Sequence, residues 1–321
     1  MKPRPLCLVI GVLAIGLNPL PASGDQRQPV TFQPDWFPNG QFAGFFLAEA
    51  DGLYADAGLD VTIASFDFGT DFIRQVAEGG PVIGTAEAYI LIDRIAAGEP
   101  LVAIGAVLGQ SPAGYIYLAD SGIEQPADLA GKRVGVHNYA EELLPYFLNQ
   151  AGLVEDAAEG VIVKHDVSLL LDGQVDLHQG YAIDEMLRLR KQTDRPVDIL
   201  LFEELGLPML SMVIYTNRTF LKDHPDQVRA FLDSSRTGWR RAVDEPERTA
   251  ALITGYHAHP EVDPSLLPEQ IRALHAFVFM AGREPLSLAG DRWEAMQAAF
   301  LKAGMIKSEV PARDSIWQDV P

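Results

Sequence analysis

Between Pro29 and Phe202 the chain alternates short apolar runs with longer stretches whose apolar residues fall three and four apart. No other feature constrains the fold as much. Strands separated by a helix-length segment run parallel and cannot be joined as tight hairpins. The first strands read as Pro29–Gln33, Leu59–Ser65, "PVIGTA" and Pro100–Leu108. Helices between them read as Gln41–Ala50, Asp71–Glu78 with Thr70 as its cap, and Ala88–Ala97 closed by Gly98. A second series follows: Gly114–Ala119, "KRVGVH", "VIVKH", the end of "VSLLLDGQVDL" and Val197–Phe202, with a helix near Glu141–Gln150. "SMVIYTN" (Ser211–Asn217) is a strand placed to return to the first series. From Phe220 onward the pattern is helical over Pro225–Val243, Glu247–Tyr256, Pro268–Met280 and Asp291–Ala303. The expected fold class is α/β: two lobes of mostly parallel sheet flanked by helices, with a helical C-terminal tail. Residues 25–110 with 211–321 form one lobe and 111–210 the other. Crossings near Gly109–Ala113 and Leu207–Ser211 form the hinge.

The opening "MKPRPLCLVIGVLAIGLNPLPASG" stands apart from this pattern. Lys2 and Arg4 precede an apolar run from Leu6 to Leu17, and Ala22-Ser23-Gly24 is a small-residue cleavage pattern. Residues 1–24 therefore read as a signal peptide, because the apolar run is short of the ~20 residues that span a bilayer. The single cysteine, Cys7, lies inside that segment and not at its cleavage point. The reading is an exported, periplasmic chain that is not lipid-anchored. It has no disulfide, thiolate nucleophile or cysteine metal ligand, and is large enough to fold without staples. The formal charge of −19 becomes two more negative on loss of Lys2 and Arg4, a field that repels nucleic acid.

Catalytic signatures are missing: there is no G-x-S-x-G elbow, phosphate-binding loop or G-x-G-x-x-G. "HAHPE" (His257–Glu261) pairs two histidines but reads as a solvated turn, and no metal site is assigned. His137, His165 and His178 stand at strand ends and read as surface or packing residues. No catalytic residue and no cofactor is nominated.

The loops at the strand ends share a different bias. The first carries Asp35, Trp36 and Asn39, and the second is "FDFGTD" with Phe66. The third offers Glu87 and Tyr89, and the fourth Gln110 and Ser111. In the second series "HNYAEE" brings Asn138 and Tyr139, and "HQGYAIDE" brings Tyr181 and Glu185. Ligands in open α/β sheets sit outside the carboxyl ends of the strands. Aromatic faces hold planar rings, and carboxylates accept hydrogen bonds from amino groups. On a helix Tyr181 and Glu185 would share a face. Arg and Lys, which an anionic ligand would want, are nearly absent from these loops. Phe42, Phe45, Phe46 and Tyr54 read as core.

"DWFPNGQFAGFFLAEADGLYADAGLDVTI", "GEPLVAIGAVLGQSP", "GIEQPADLAGKRVGV" and "LLLDGQVDLHQGYAIDE" together resemble one family. It unites fungal thiamine-pyrimidine synthases with bacterial pyrimidine-precursor binding proteins. The resemblance covers most of Val30 to Phe202 and implies a two-lobed periplasmic-binding-protein fold. It implies the solute-binding component of an ABC importer, a monomer that closes on a small molecule and docks on an inner-membrane permease. Trp36 and Asn39 match the family's first binding loop, and Tyr181 and Glu185 its Tyr-x-x-x-Glu element. Family members often carry His where this chain has Phe42, and the synthases carry a cysteine-rich motif absent here. Those departures argue against a secreted salvage enzyme. The ligand implied is a nitrogenous heteroaromatic, most simply a thiamine-related pyrimidine, with riboflavin, a sulfonate or another small solute as alternatives.

Overall fold

A computed structural model describes residues 27–138, 140–164, 166–256, 259–260 and 262–317. The expected leader, Tyr139, His165 and His257 lie outside the described residues. The strands are β1 Gln28–Gln33, β2 Leu59–Ile63, β3 Val82–Ala86, β4 Leu101–Leu108, β5 Ala113–Leu118, β6 Arg133–Val136, β7 Glu159–Ile162, β8 Leu177–Tyr181, β9 Val197–Leu201 and β10 Ser211–Asn217. The helices of the first half are α1 Ala43–Ala50, α2 Leu53–Asp56, α3 Phe72–Ala77, α4 Ala88–Ala96, α5 Leu143–Gln150, α6 Ser168–Leu171 and α7 Glu185–Gln192. Those of the C-terminal part are α8 Arg218–Asp223, α9 Pro225–Asp244, α10 Pro246–Tyr256, α11 Leu267–Val278, α12 Gly290–Lys302 and α13 Ala312–Ser315.

Among the described residues the strands form two five-stranded sheets, ordered β2-β1-β3-β10-β4 and β7-β6-β8-β5-β9. In each, one strand runs against the rest: β10 is antiparallel to β3 and β4, and β5 is antiparallel to β8 and β9. The expected "mostly parallel" sheets therefore each carry an antiparallel member, the strand that follows a crossing between sheets. Two segments make the crossings, 109–112 and 202–210, and the Ser111 N–H donates to the Met209 carbonyl at 2.8 Å to hold them side by side. The second is packed, with Phe202, Leu205, Leu207, Met209 and Leu210 all buried. Each of the two large apolar clusters contains residues from both sheets. Contacts also span the molecule at the surface, where Lys191 Nζ in α7 donates to the carbonyl and hydroxyl of Ser265.

The C-terminal helices pack on the first sheet and on α1. Phe32 of β1 stacks on Phe45 of α1 at 4.2 Å, and Phe231 of α9 lies beyond both. α1 is enclosed by sheet and helices, which is why Ala43 to Ala48 are all buried. The last described residues lie against the first sheet, where Ile316 bridges Ala103. Helix α3 is capped by Asp71, whose side chain accepts from Arg74 N, and not by Thr70. Asp begins the helix one residue later because its carboxylate reaches the third N–H of the turn.

α1 and α9 cross at a pair of glycines. A Cβ on Gly44 would sit 2.2 Å from the Trp239 ring, and one on Gly238 would sit 2.2 Å from the Gly44 carbonyl. Overpacking a rigid contact typically costs 1–3 kcal/mol, more when the obstacle is backbone. Gly238→Ala is expected to lower unfolding free energy by about 2 kcal/mol or more. Urea denaturation measures this directly, and an unchanged midpoint would mean the helices can separate freely.

Candidate functional site

The carboxyl ends of β1, β2 and β3 support one continuous strip of side chains. Beyond β1 the chain turns through Asp35 to Asn39, where the Asn39 side chain accepts from Gln41 N and caps the short 3-10 turn Gly40–Phe42. That cap fixes the exit angle of the loop and leaves Trp36 42% exposed, while Phe37 is buried. Beyond β2, Asp67 accepts from Gly69 N and from the Thr70 hydroxyl, closing a tight loop that lifts Phe68 to 74% exposure.

The result is an aromatic cluster. Trp36 lies 5.4 Å from Phe37, 5.5 Å from Phe66 and 5.6 Å from Phe68, all edge-on or tilted. Phe66 touches Phe68 and Phe72, and His259 stacks on Phe37 at 3.8 Å. Trp36 and Phe66 are thus brought together. Phe37, Phe68 and His259 were not nominated from sequence, although "FDFG" had flagged the second loop.

Beside the aromatics is a carboxyl pair. Thr85 at the end of β3 donates its hydroxyl to Asp35 Oδ1 at 2.6 Å and accepts the Asp35 N–H. Glu87, two residues on, accepts from the Ser211 hydroxyl at 2.6 Å. Its other oxygen, Oε2, is buried and has no hydrogen-bond partner among the described residues. Met212, next to Ser211, has φ of 51°, a left-handed backbone uncommon outside glycine. Burial pushes Glu87 up to about 7, reinforced by the nearby Asp35 charge and opposed by Ser211 and Met212. Asp35 is also raised, chiefly by burial, against the lowering effect of Thr85. Thr85 and Ser211 are further residues that sequence reading did not nominate; both fall inside apolar strands.

The second sheet contributes less uniformly. Asn138 is exposed in the turn after β6. His137 and His178 are both buried, with rings 6.2 Å apart, and the His137 N–H donates to Gln179 Oε1. Tyr181 and Glu185 do not share a helical face: Tyr181 ends β8, paired with Ala113, and Glu185 begins α7. Glu185 folds back so that Oε2 accepts the Tyr181 N–H at 2.9 Å, while Oε1 takes Arg188 at 3.0 Å. Gly180 makes room, since a Cβ there would lie 2.8 Å from Glu185 Cβ. Glu185 thereby shapes the turn that presents Tyr181.

Tyr89 is placed elsewhere. Its ring meets Phe300 of α12 edge-on at 6.4 Å, on the apolar side of α4. Ser111 belongs to the crossing, where its N–H bonds Met209. Phe42, Phe45, Phe46 and Tyr54 are buried as expected, Tyr54 stacking on Phe231 and bonding Ser235.

Comparisons with known proteins agree with this architecture. The family model described as "NMT1/THI5 like" matches residues 39–249. The chain is 24% identical over 239 residues to the formylaminopyrimidine-binding protein of Halalkalibacterium halodurans, covering 72% of each chain. It is also 24% identical over 230 residues to the 4-amino-5-hydroxymethyl-2-methylpyrimidine phosphate synthase of Aspergillus parasiticus, 68% of this chain and 67% of the relative. Among solved structures it is similar to the periplasmic aliphatic sulphonate binding protein SsuA from Escherichia coli, with TM-score 0.68 and 16% identity. The match covers 91% of this chain and 92% of that one. The fold is the two-lobed periplasmic-binding-protein fold.

The raised Glu87 has a consequence for stability. Below its ordinary value of 4.5 the folded and unfolded chains are both protonated at this site; from there to about 7 only the folded chain keeps the proton. Stability from this group is full at low pH and lost as pH rises through that window, by about 3 kcal/mol. Glu87→Gln removes the dependence. Between pH of about 4.5 and 8 the variant should gain on the parent by about that amount in urea titrations, whereas a constant difference would show Glu87 ionising normally.

Proposed function

The chain belongs to the NMT1/THI5-like family, and on that premise we propose that it is the solute-binding component of an importer that closes on a small, flat, nitrogen-bearing ring. The observation that carries this reading is the pairing of exposed Trp36 and Phe68, with Phe66 between them, against the hydrogen-bonded acids Asp35 and Glu87. A planar ring lies on the aromatic surface and its amino group meets the carboxyl oxygens. The ligand is most simply a thiamine-related pyrimidine. Trp36, Asn39, Phe66 and Glu87 act from one lobe, residues 25–110 with 211–321. Asn138, Tyr139 and Tyr181 act from the other, 111–210, with Glu185 setting the turn. Closure takes place at the two crossings. The partner is an inner-membrane ABC permease, and the protein works as a periplasmic monomer after loss of residues 1–24.

Riboflavin would use the same aromatic surface. A sulfonate is disfavoured, because the half-buried acids Asp35 and Glu87 repel an anion. A synthase role is disfavoured by Phe42, which is wholly buried against Phe46, and by the lack of cysteine after Cys7.

A bound ligand stabilises the folded chain by RT ln(1 + [L]/Kd), about 2.7 kcal/mol at a hundred times Kd. A thermal-shift panel of aminopyrimidines, riboflavin, taurine and amino acids should therefore give its largest rise with an aminopyrimidine. A shift with taurine and none with rings would sink the proposal. Trp36→Ala should abolish the ring-dependent shift while leaving the ligand-free melting temperature within a few degrees, since Trp36 is half-exposed. A variant that unfolds would instead make Trp36 a packing residue.

A further inference from the structure

Gln270 of α11 stands where the two halves of the candidate site meet. Its side chain is 8% exposed. Nε2 donates to Asp184 Oδ1 at 3.2 Å, reaching the turn between Tyr181 and Glu185 on the second sheet. On its other side it lies against the root of the Trp36 loop: a Cβ on Gly40 would sit 3.0 Å from Gln270 Cβ and 3.3 Å from Oε1. Residue 40 must be small for the carboxamide to lie there. A carboxylate only accepts hydrogen bonds, so the amide nitrogen has to face Asp184 and Oε1 is the atom left over. That oxygen is buried and has no hydrogen-bond partner among the described residues.

A buried amide acceptor without a donor is costly, and a methionine would fill the same space without that cost. We propose that Gln270 is a ligand-binding residue, its Oε1 accepting an N–H from the amino group of the ring while its Nε2 holds Asp184 of the opposite lobe. One carboxamide then senses both occupancy and closure. This rests on the ring-binding reading above. It adds a contact from the C-terminal helices, where the sequence had suggested none.

Calorimetry on the chain after removal of residues 1–24 tests it. Two probes are used, 4-amino-5-hydroxymethyl-2-methylpyrimidine and the same ring without its amino group. Gln270→Met should keep or raise the ligand-free melting temperature. It should bind the amino ring at least about tenfold more weakly, the loss of one hydrogen bond to a buried acceptor. It should bind the des-amino ring as the parent does. If the parent binds the amino ring and Gln270→Met binds it within twofold, Gln270 is not a ligand contact and the ring-binding reading survives. Equal weakening for both rings would assign Gln270 to packing or to a resident water, and would also overturn the inference. A parent that binds neither ring removes both proposals. Gln270→Leu serves the same comparison should the Met variant fail to fold.

Discussion

The Ser111 N–H bond to the Met209 carbonyl fastens the two crossings together, and the layout of the candidate site follows from it. Since β4 leaves the first sheet and β10 re-enters it between β3 and β4, the returning strand must run against its neighbours. Its first residues, Ser211 and Met212, therefore lie beside the carboxyl end of β3. There Ser211 supplies the hydroxyl that holds Glu87. The acid of the site and the junction of the two lobes are one hydrogen-bonded unit. A change of charge or partner at Glu87 falls on Ser211, directly after the second crossing.

Burial gives this unit its chemistry. Two carboxyl groups near each other and only partly open to water cannot both ionise cheaply. Asp35 and Glu87 share that constraint, and each is steadied by one hydroxyl, from Thr85 and Ser211 respectively. The aromatic rings at the ends of β1 and β2 present their faces and edges next to this pair. Ring surface beside acceptor oxygens suits a planar, amino-bearing molecule better than an anion.

Much of the fold was legible because strand pairing and helix packing leave periodic marks. Ser211–Asn217 reads as a strand of that length, and the structure has the same bounds. The core aromatics of α1 show their helical spacing. Other positions misled for identifiable reasons. Tyr181 and Glu185 are four apart, which fits a helix face, but β5 holds Tyr181 in the sheet and the helix starts only at Glu185. Tyr89 follows a strand end as a ligand residue would, yet its ring turns toward Phe300, more than two hundred residues away. Gln270 was invisible, because a lone amide in an amphipathic helix carries no local signal.

The sequence by itself determined the α/β class, the double crossing, the buried face of α1 and the identity of the first loop as aromatic and acidic. Those properties depend on local periodicity and residue chemistry. Only the tertiary structure decided which loop residues face one another. Thr85 joins Asp35, Ser211 joins Glu87 and Gln270 joins Asp184 by hydrogen bonds across separations of 50, 124 and 86 residues, and Gln270 also lies against Gly40. Such contacts are made by the path of the backbone between sheets, and nothing in the neighbouring residues records that path.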